Sequence, residues 1–388
     1  MKIKSFVAIV GLMLMLGCRL ATLDGLQKEI DGIASKWVPD KRVAICKIKV
    51  EQNRNGHLVL KGETIFPEAK AEILQLIANK GVTFTDSIQV LPDSVNLQKV
   101  WGVVRLSVAN IRYEPEHSAE MATQAIMGTP VRILKKTDEW YLIQTPDRYI
   151  AWTNQYAVQP MSNSEMADWR KSDRLIYTET YGLAYQDSKK TNVLCDLVAG
   201  AIVVKKAVDK DVTEISLPDG RIGYVSNQNW INLKQWSDTV SLISDRMIAT
   251  GKRFLGFPYF WGGTSSKAVD CSGFVKTVYF LNGTILERDA SQQARHGQVL
   301  DITQGYSNLQ KGDLLFFGNK ETFKVTHVGM YIGDSEVIHS SGFVHISSLD
   351  KNRANYSDVL SSKWIAARRI IGVTPEQGLL PIRQHNWY

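Results

Sequence analysis

The chain has 388 residues, 44% of them hydrophobic and 22% charged, which is enough apolar content for two to four packed domains and excludes a disordered polymer. Its net charge of +7 is scattered rather than gathered into a stripe. With no zinc-finger spacing, no helix-turn-helix pattern and no Lys/Arg cluster interleaved with aromatics, nucleic acid is not an expected partner, and the positive balance reads as a solvated surface.

In chain order, Lys2 and Lys4 precede an apolar run from Ser5 to Gly17 that ends at Cys18. A basic start followed by an apolar stretch too short to span a bilayer is the pattern of an export signal, assigned to residues 1–18. Cys18 resembles the acceptor of a bacterial lipoprotein signal, although Met15-Leu16 depart from the usual residues before it. Cys18 is therefore the lipidation candidate, with membrane anchoring through it, and the mature protein is expected in the periplasm or cell envelope.

Residues 22–96 read as a small α+β domain. Two β-rich runs, 41–50 and 57–65, flank the hairpin turn Asn53-Arg54-Asn55-Gly56, and Pro67 opens a helix that runs to Asn79 and stops at Lys80-Gly81. No catalytic constellation falls here, so a packing or spacing role is expected. Residues 98–160 and 161–236 share a weak repeat of short strands and tight turns, the spacing of small barrels. Both resemble bacterial SH3-type modules, the second more loosely. A further domain is placed at 240–372, and a tail at 373–388, with Pro375, Pro381 and Trp387, reads as an extended segment lying on the body.

The chemistry concentrates in the 240–372 domain. Cys271, Phe274, Val275, Val278 and Tyr279 recur at helical spacing, which predicts a helix with its apolar stripe inward and Cys271 in its first turn. Unpaired amides and the positive end of the helix dipole favour thiolate there, so the thiol is expected to titrate low. Two β-rich segments, Val325 to Ile332 and Glu336 to Ile338, flank Gly333-Asp334-Ser335 and read as a hairpin that sets His327 beside His339. Lys311-Gly312-Asp313 turns into one more buried strand, Leu314 to Phe317. His327 can then serve as general base to Cys271 while His339 orients the first imidazole. A lone buried Cys or strand His is more often inert packing, but three in this order argue for nucleophilic catalysis. Zinc is disfavoured because no second Cys or close carboxylate has ligand spacing, and no cofactor is expected.

Six ordered blocks carry a family resemblance. Tyr259-Phe260-Trp261-Gly262-Gly263, Asp270-Cys271-Ser272-Gly273-Phe274, Ser291-Gln292-Gln293, Gly312-Asp313-Leu314-Leu315-Phe316-Phe317, His327-Val328-Gly329-Met330-Tyr331-Ile332-Gly333 and Ile338-His339-Ser340-Ser341 resemble the motif set of NlpC-type papain-like cell-wall cysteine peptidases. The resemblance covers roughly the last third of the chain and implies Cys271 as nucleophile, His327 as base and His339 as orienting residue. The fold class it implies is α+β multidomain, a papain-like peptidase domain preceded by two small SH3-type β-barrels and the N-terminal α+β domain.

Two such modules ahead of this domain resemble the dipeptidyl-peptidase VI group. That implies hydrolysis of the γ-D-glutamyl to diamino-acid bond, with meso-diaminopimelate or Lys, in peptidoglycan-derived peptides bearing a free N-terminal L-Ala. The matching positions are Glu120 and Tyr149 in the first module, with Glu114 the lesser candidate for the acid, and Tyr259, Trp261, Asp270, Ser272 and Ser291 along the groove. Asp270 also suits a helix N-cap, in addition to facing the substrate ammonium, and Tyr259 and Trp261 equally suit core aromatics beside the Gly262-Gly263 turn. The alternatives are an endopeptidase on glycan-attached stem peptides, with the barrels as targeting modules, or a non-catalytic wall-binding protein on the same scaffold. Another acyl substrate is compatible with the same three residues. Cys46 and Cys195 are expected as buried apolar residues in strands rather than as a disulfide.

Overall fold

The computed structural model describes residues 23–388, so the 1–18 segment and Cys18 lie outside the described residues. The chain divides into two units, one formed by residues up to Pro39 with Ile45–Val90, the other by Asp40–Ala44 with Leu91–Tyr388.

The first unit is a three-stranded sheet with two helices. Strands Cys46–Gln52 and Leu58–Thr64 form the antiparallel hairpin, and helix Pro67–Asn79 carries the chain across to Phe84–Val90, which pairs parallel to the middle strand. Pro67 at the first helical turn loses no hydrogen bond there. Ala69, Ile73 and Ile77, one helical face, bury together with Leu26 and Ile30 of helix Leu23–Trp37. The expected strand from 41 instead begins at Cys46, because residues 40–44 belong to the second unit, where Ile150 N–H donates to the Arg42 carbonyl at 2.8 Å.

The second unit opens with two antiparallel seven-stranded sheets. The first spans Trp101 to Met161, in the order 158–161, 101–104, 130–137, 140–144, 150–154, 108–112, 121–126, around a core that includes Val104, Ile111, Ile133, Ile143 and Tyr149. The second spans Arg174 to Asn232 around Val203, Ile215 and Val225. Between them helix Asn163–Lys171 starts on a capping box, Ser162 with Glu165.

The remainder is a six-stranded antiparallel sheet covered by helices Ser244–Lys252 and Cys271–Leu281. Strands Val325–Gly333 and Glu336–Ser341 form the expected hairpin, with Asp334 and Ser335 both at positive φ in its turn. Phe274 and Val278 of the second helix pack on Phe316, Val328 and Ile338 of the sheet; full burial of Phe274 alone contributes about 2–3 kcal/mol. Gly273 in this helix is required by space, since a Cβ would meet the Gly263 carbonyl oxygen at 1.9 Å. The tail does lie on the body: Leu379–Pro381 adds a strand to Thr284–Leu286, and Trp387 stacks edge-on against Trp101 at 5.2 Å. Cys46, Cys195 and Cys271 are all free thiols, Cys46 in the strand Cys46–Gln52 and Cys195 in Val193–Val198.

Candidate active site

The helix Cys271–Leu281 begins at Asp270, whose carboxylate accepts from the Gly273 N–H at 2.7 Å and so places Cys271 on the first turn. The sheet beneath supplies the two histidines. His327 Nε2 and His339 Nδ1 are 3.0 Å apart, and His339 Nε2 lies 3.0 Å from Ser347 Oγ on the next strand. This geometry leaves Nδ1 of His327 as the nitrogen available to the thiol. A base acting through Nδ1 carries its proton on Nε2 and donates it to His339 Nδ1. With His339 accepting on Nδ1, its proton sits on Nε2 and is donated to the Ser347 hydroxyl, which accepts it. Ser347 was not recognised in the sequence; its only signal was its place on the strand after His339.

The thiol does not titrate low. Burial and the neighbouring Asp270 carboxylate push Cys271 up to about 11, against the pull of Arg288 and of the Ser272 and Val328 N–H groups. Burial, with the nearby His345, brings His327 down to about 4, and His339 is lowered further for the same reason and by His327. Closure of the site to water outweighs the helix terminus: Cys271 is 8% exposed. Both directions favour a neutral thiol beside a neutral imidazole, with thiolate formed when His327 takes the proton.

Asp270 does more than cap the helix, and it is buried. Its carboxylate accepts from both terminal nitrogens of Arg288, which is 2% exposed, and from the Gly262 N–H at 2.9 Å. The helix-cap role expected of Asp270 is thus present, joined by an ion pair with Arg288. Ser272 is drawn into the same cluster, accepting from Arg288 Nη1 at 2.9 Å. Arg288 Nε donates to Thr123 of the first barrel at 3.0 Å. Burial opposes its charge, but Asp270 outweighs burial and holds the guanidinium firmly protonated.

The first barrel meets the catalytic domain along a polar seam. Trp261, 59% exposed and so not a core aromatic, donates its indole N–H to Glu120 at 2.8 Å. Gly262 beside it has φ of 82°, and a Cβ there would meet the Met121 side chain at 2.6 Å, so barrel and loop approach closely only because this residue is glycine. Tyr149 is 1% exposed, and its hydroxyl donates to Asp289 Oδ2 at 3.3 Å while accepting from Tyr113 at 2.9 Å. Burial and Asp289 push the Tyr149 phenol well above its usual range, so it remains a donor. Ser291 is exposed and accepts from Arg42 Nη1 at 2.9 Å. Tyr259 is half-buried, and burial together with Cys271 and Asp270 pushes it up to about 12. Glu114 is exposed; Glu120 is the acid on the seam. Arg42, Tyr113, Arg288 and Asp289 were missed in the sequence, where nothing local distinguishes them.

A buried thiol at a helix start, facing a histidine pair on an antiparallel sheet, defines the papain-like class of cysteine peptidase. Residues 256–363 match the NlpC/P60 family and residues 111–155 match the bacterial dipeptidyl-peptidase Sh3 domain. The catalytic domain is thus an NlpC/P60 peptidase domain, joined to an SH3-type module of the dipeptidyl-peptidase kind. Over 269 residues the chain is 28% identical to a gamma-D-glutamyl-L-lysine dipeptidyl-peptidase of Bacillus cereus, covering 66% of this chain and 79% of that protein. It is also 28% identical to dipeptidyl-peptidase 6 of Lysinibacillus sphaericus, covering 67% of this chain and 96% of the relative. The crystal structure of an NlpC/P60 family protein from Bacillus cereus superposes with a TM-score of 0.61 at 25% identity, over 70% of this chain and 99% of that one.

Proposed function

We propose that the protein hydrolyses the γ-D-glutamyl to diamino-acid bond, with meso-diaminopimelate or Lys, in peptidoglycan-derived peptides that carry a free N-terminal L-Ala. Cys271 attacks the γ-carbonyl as His327 Nδ1 takes its proton. The main-chain N–H at the helix start receives the developing oxyanion. His327 returns the proton to the leaving amine, and water then hydrolyses the thioester with His327 again as base. His339, held by Ser347, keeps the His327 ring in the productive tautomer.

The observation that carries the substrate reading is the seam. Tyr149 on Asp289 and Glu120 on Trp261 set first-barrel residues beside catalytic-domain loops, with a carboxylate at each of these two contacts. A terminal ammonium needs such an anion, and Glu120 and Asp289 are the acids we assign to it, both being more accessible than Asp270. The names of the relatives, dipeptidyl-peptidases with gamma-D-glutamyl-L-lysine specificity, support the same choice. We further propose export to the cell envelope through residues 1–18, with lipid anchoring at Cys18; mass spectrometry of the mature N-terminus tests this. The decisive experiment compares the tripeptide L-Ala-γ-D-Glu-L-Lys with its N-acetyl form. Strong preference for the free amine is expected; equal cleavage sinks the reading in favour of an endopeptidase on glycan-attached stems.

A further inference from the structure

We propose that Arg42 is a positioning residue for the amino end of the substrate site, supplied by a chain segment outside both the barrel and the catalytic domain; the proposal rests on the free-amine reading above. Residues 40–44 pack with the second unit. On the barrel side Ile150 N–H donates to the Arg42 carbonyl at 2.8 Å, next to Tyr149. On the catalytic side Arg42 Nη1 donates to Asp289 Oδ2 at 2.8 Å and to Ser291 Oγ at 2.9 Å. Asp289 Oδ2 therefore receives Arg42 and Tyr149 together.

The guanidinium is itself held. Its Nε and Nη2 lie on the two oxygens of Asp40 at 2.8 and 2.7 Å, a bidentate pair. Asp40 also accepts from Arg295 Nη2 at 2.8 Å and Gln292 Nε2 at 3.2 Å. These bonds outweigh burial and keep Asp40 ionised far below the usual carboxylate range. Four of the five N–H groups of Arg42 are thereby committed to protein partners, which makes it a poor ligand for a substrate carboxylate and a good brace for Asp289 and Ser291. A bridge needed only to fasten residues 40–44 is already complete in Asp40 with Arg42 and Arg295. The additional reach of Nη1 to Asp289 and Ser291 goes to two side chains that line the end of the site.

Bracing has a consequence for selectivity. An acid fixed by two donors meets a terminal ammonium without first losing its own freedom, and a residue whose carbonyl is held by the barrel and whose guanidinium is held by the catalytic domain leaves less room for an acyl extension. The first effect acts through the guanidinium on Asp289, and the barrel contact of Arg42 is made by its main-chain carbonyl; both favour the free amine.

The test uses the full chain with the tripeptide L-Ala-γ-D-Glu-L-Lys, its N-acetyl form, and the rate of Cys271 alkylation by iodoacetamide. In R42Q the ratio of kcat/KM for free over acetylated peptide is expected to fall by about tenfold, through a raised KM for the free peptide, with kcat and alkylation unchanged. R42K, which keeps the charge on Asp40 and carries the test if R42Q does not accumulate, is expected to recover less than half of that loss, because an ammonium cannot make the planar fork. In a D289N background R42Q should change the ratio by less than about twofold. An unchanged ratio in R42Q beside a discriminating parent overturns this proposal alone, as does a fall in kcat and alkylation that tracks the ratio. Equal cleavage of both peptides by the parent removes the free-amine reading and this proposal with it.

Discussion

Replacing Arg288 by Met isolates the one fully buried ion pair at the active site. In the parent, Arg288 and Asp270 side chains are 2% and 7% exposed, and the guanidinium makes four contacts: two to Asp270, one to Ser272 and one to Thr123. Removing one partner of such a pair costs about 3–5 kcal/mol, because the carboxylate left behind is neither solvated nor neutralised. Two amide donors remain to Asp270, Gly262 at 2.9 Å and Gly273 at 2.7 Å, which keeps the cost from exceeding that range. At about 2 °C per kcal/mol for a body of this size, the thermal midpoint should fall by roughly 6–10 °C. Restoring neutrality by adding Asp270→Asn should recover part of the loss, limited by the weaker helix cap. Arg288 also draws the Cys271 thiol downward, so the same substitution should slow alkylation by iodoacetamide. A thermal midpoint within about 2 °C of the parent, or a double variant no more stable than R288M, refutes the reasoning.

Two further outcomes follow from the site. Ser347→Ala removes one hydrogen bond from His339, about 0.5–1.5 kcal/mol, so kcat should drop by about two- to tenfold with KM unchanged and the thermal midpoint lower by only about 1–3 °C; undiminished kcat shows that Ser347 does not hold His339 in the productive tautomer. The neutral resting pair predicts that alkylation of Cys271 rises with pH across the neutral and alkaline range toward the thiol's value of about 11, because each rise in pH increases the thiolate fraction. A rate that is flat from acid to neutral pH means instead a thiolate–imidazolium pair at rest.

What was readable in the sequence was local. The Cys271 helix shows its 3.6-residue stripe and its Asp270 cap within nine positions, and the histidine hairpin declares itself by Gly333-Asp334-Ser335 between two β-rich runs. Signals present but unread include Ser162 with Glu165, a capping box at the start of Asn163–Lys171, and Leu26 with Ile30 in helix Leu23–Trp37. The partners of the polar groups were not readable at all. Asp270 and Arg288 are 18 residues apart, Tyr149 and Asp289 are 140 apart, and Arg42 and Asp289 are 247 apart. Motif position identified Asp270 as important, but only the fold shows that its charge is consumed inside the protein. The thiol's titration failed for the same reason: a helix terminus is a local feature, whereas burial is a property of everything packed around it.

Arg288 and Asp289 are consecutive, and Asp289 has the extended backbone of a helix N-cap, φ −95° and ψ 148°. Successive side chains on extended backbone point to opposite sides. Arg288 thus turns inward to Asp270 and the helix that carries the nucleophile, while Asp289 turns to Tyr149, Arg42 and the amino end of the site. The barrel touches both, through Thr123 on Arg288 and Tyr149 on Asp289. A targeting module needs only a tether to its enzyme, whereas this barrel buries hydrogen bonds to the residue that neutralises the helix cap and to its neighbour at the substrate end. Under the proposed free-amine reading, chemistry and selectivity are therefore coupled through one dipeptide, and the first barrel belongs to the active site rather than serving as a removable anchor.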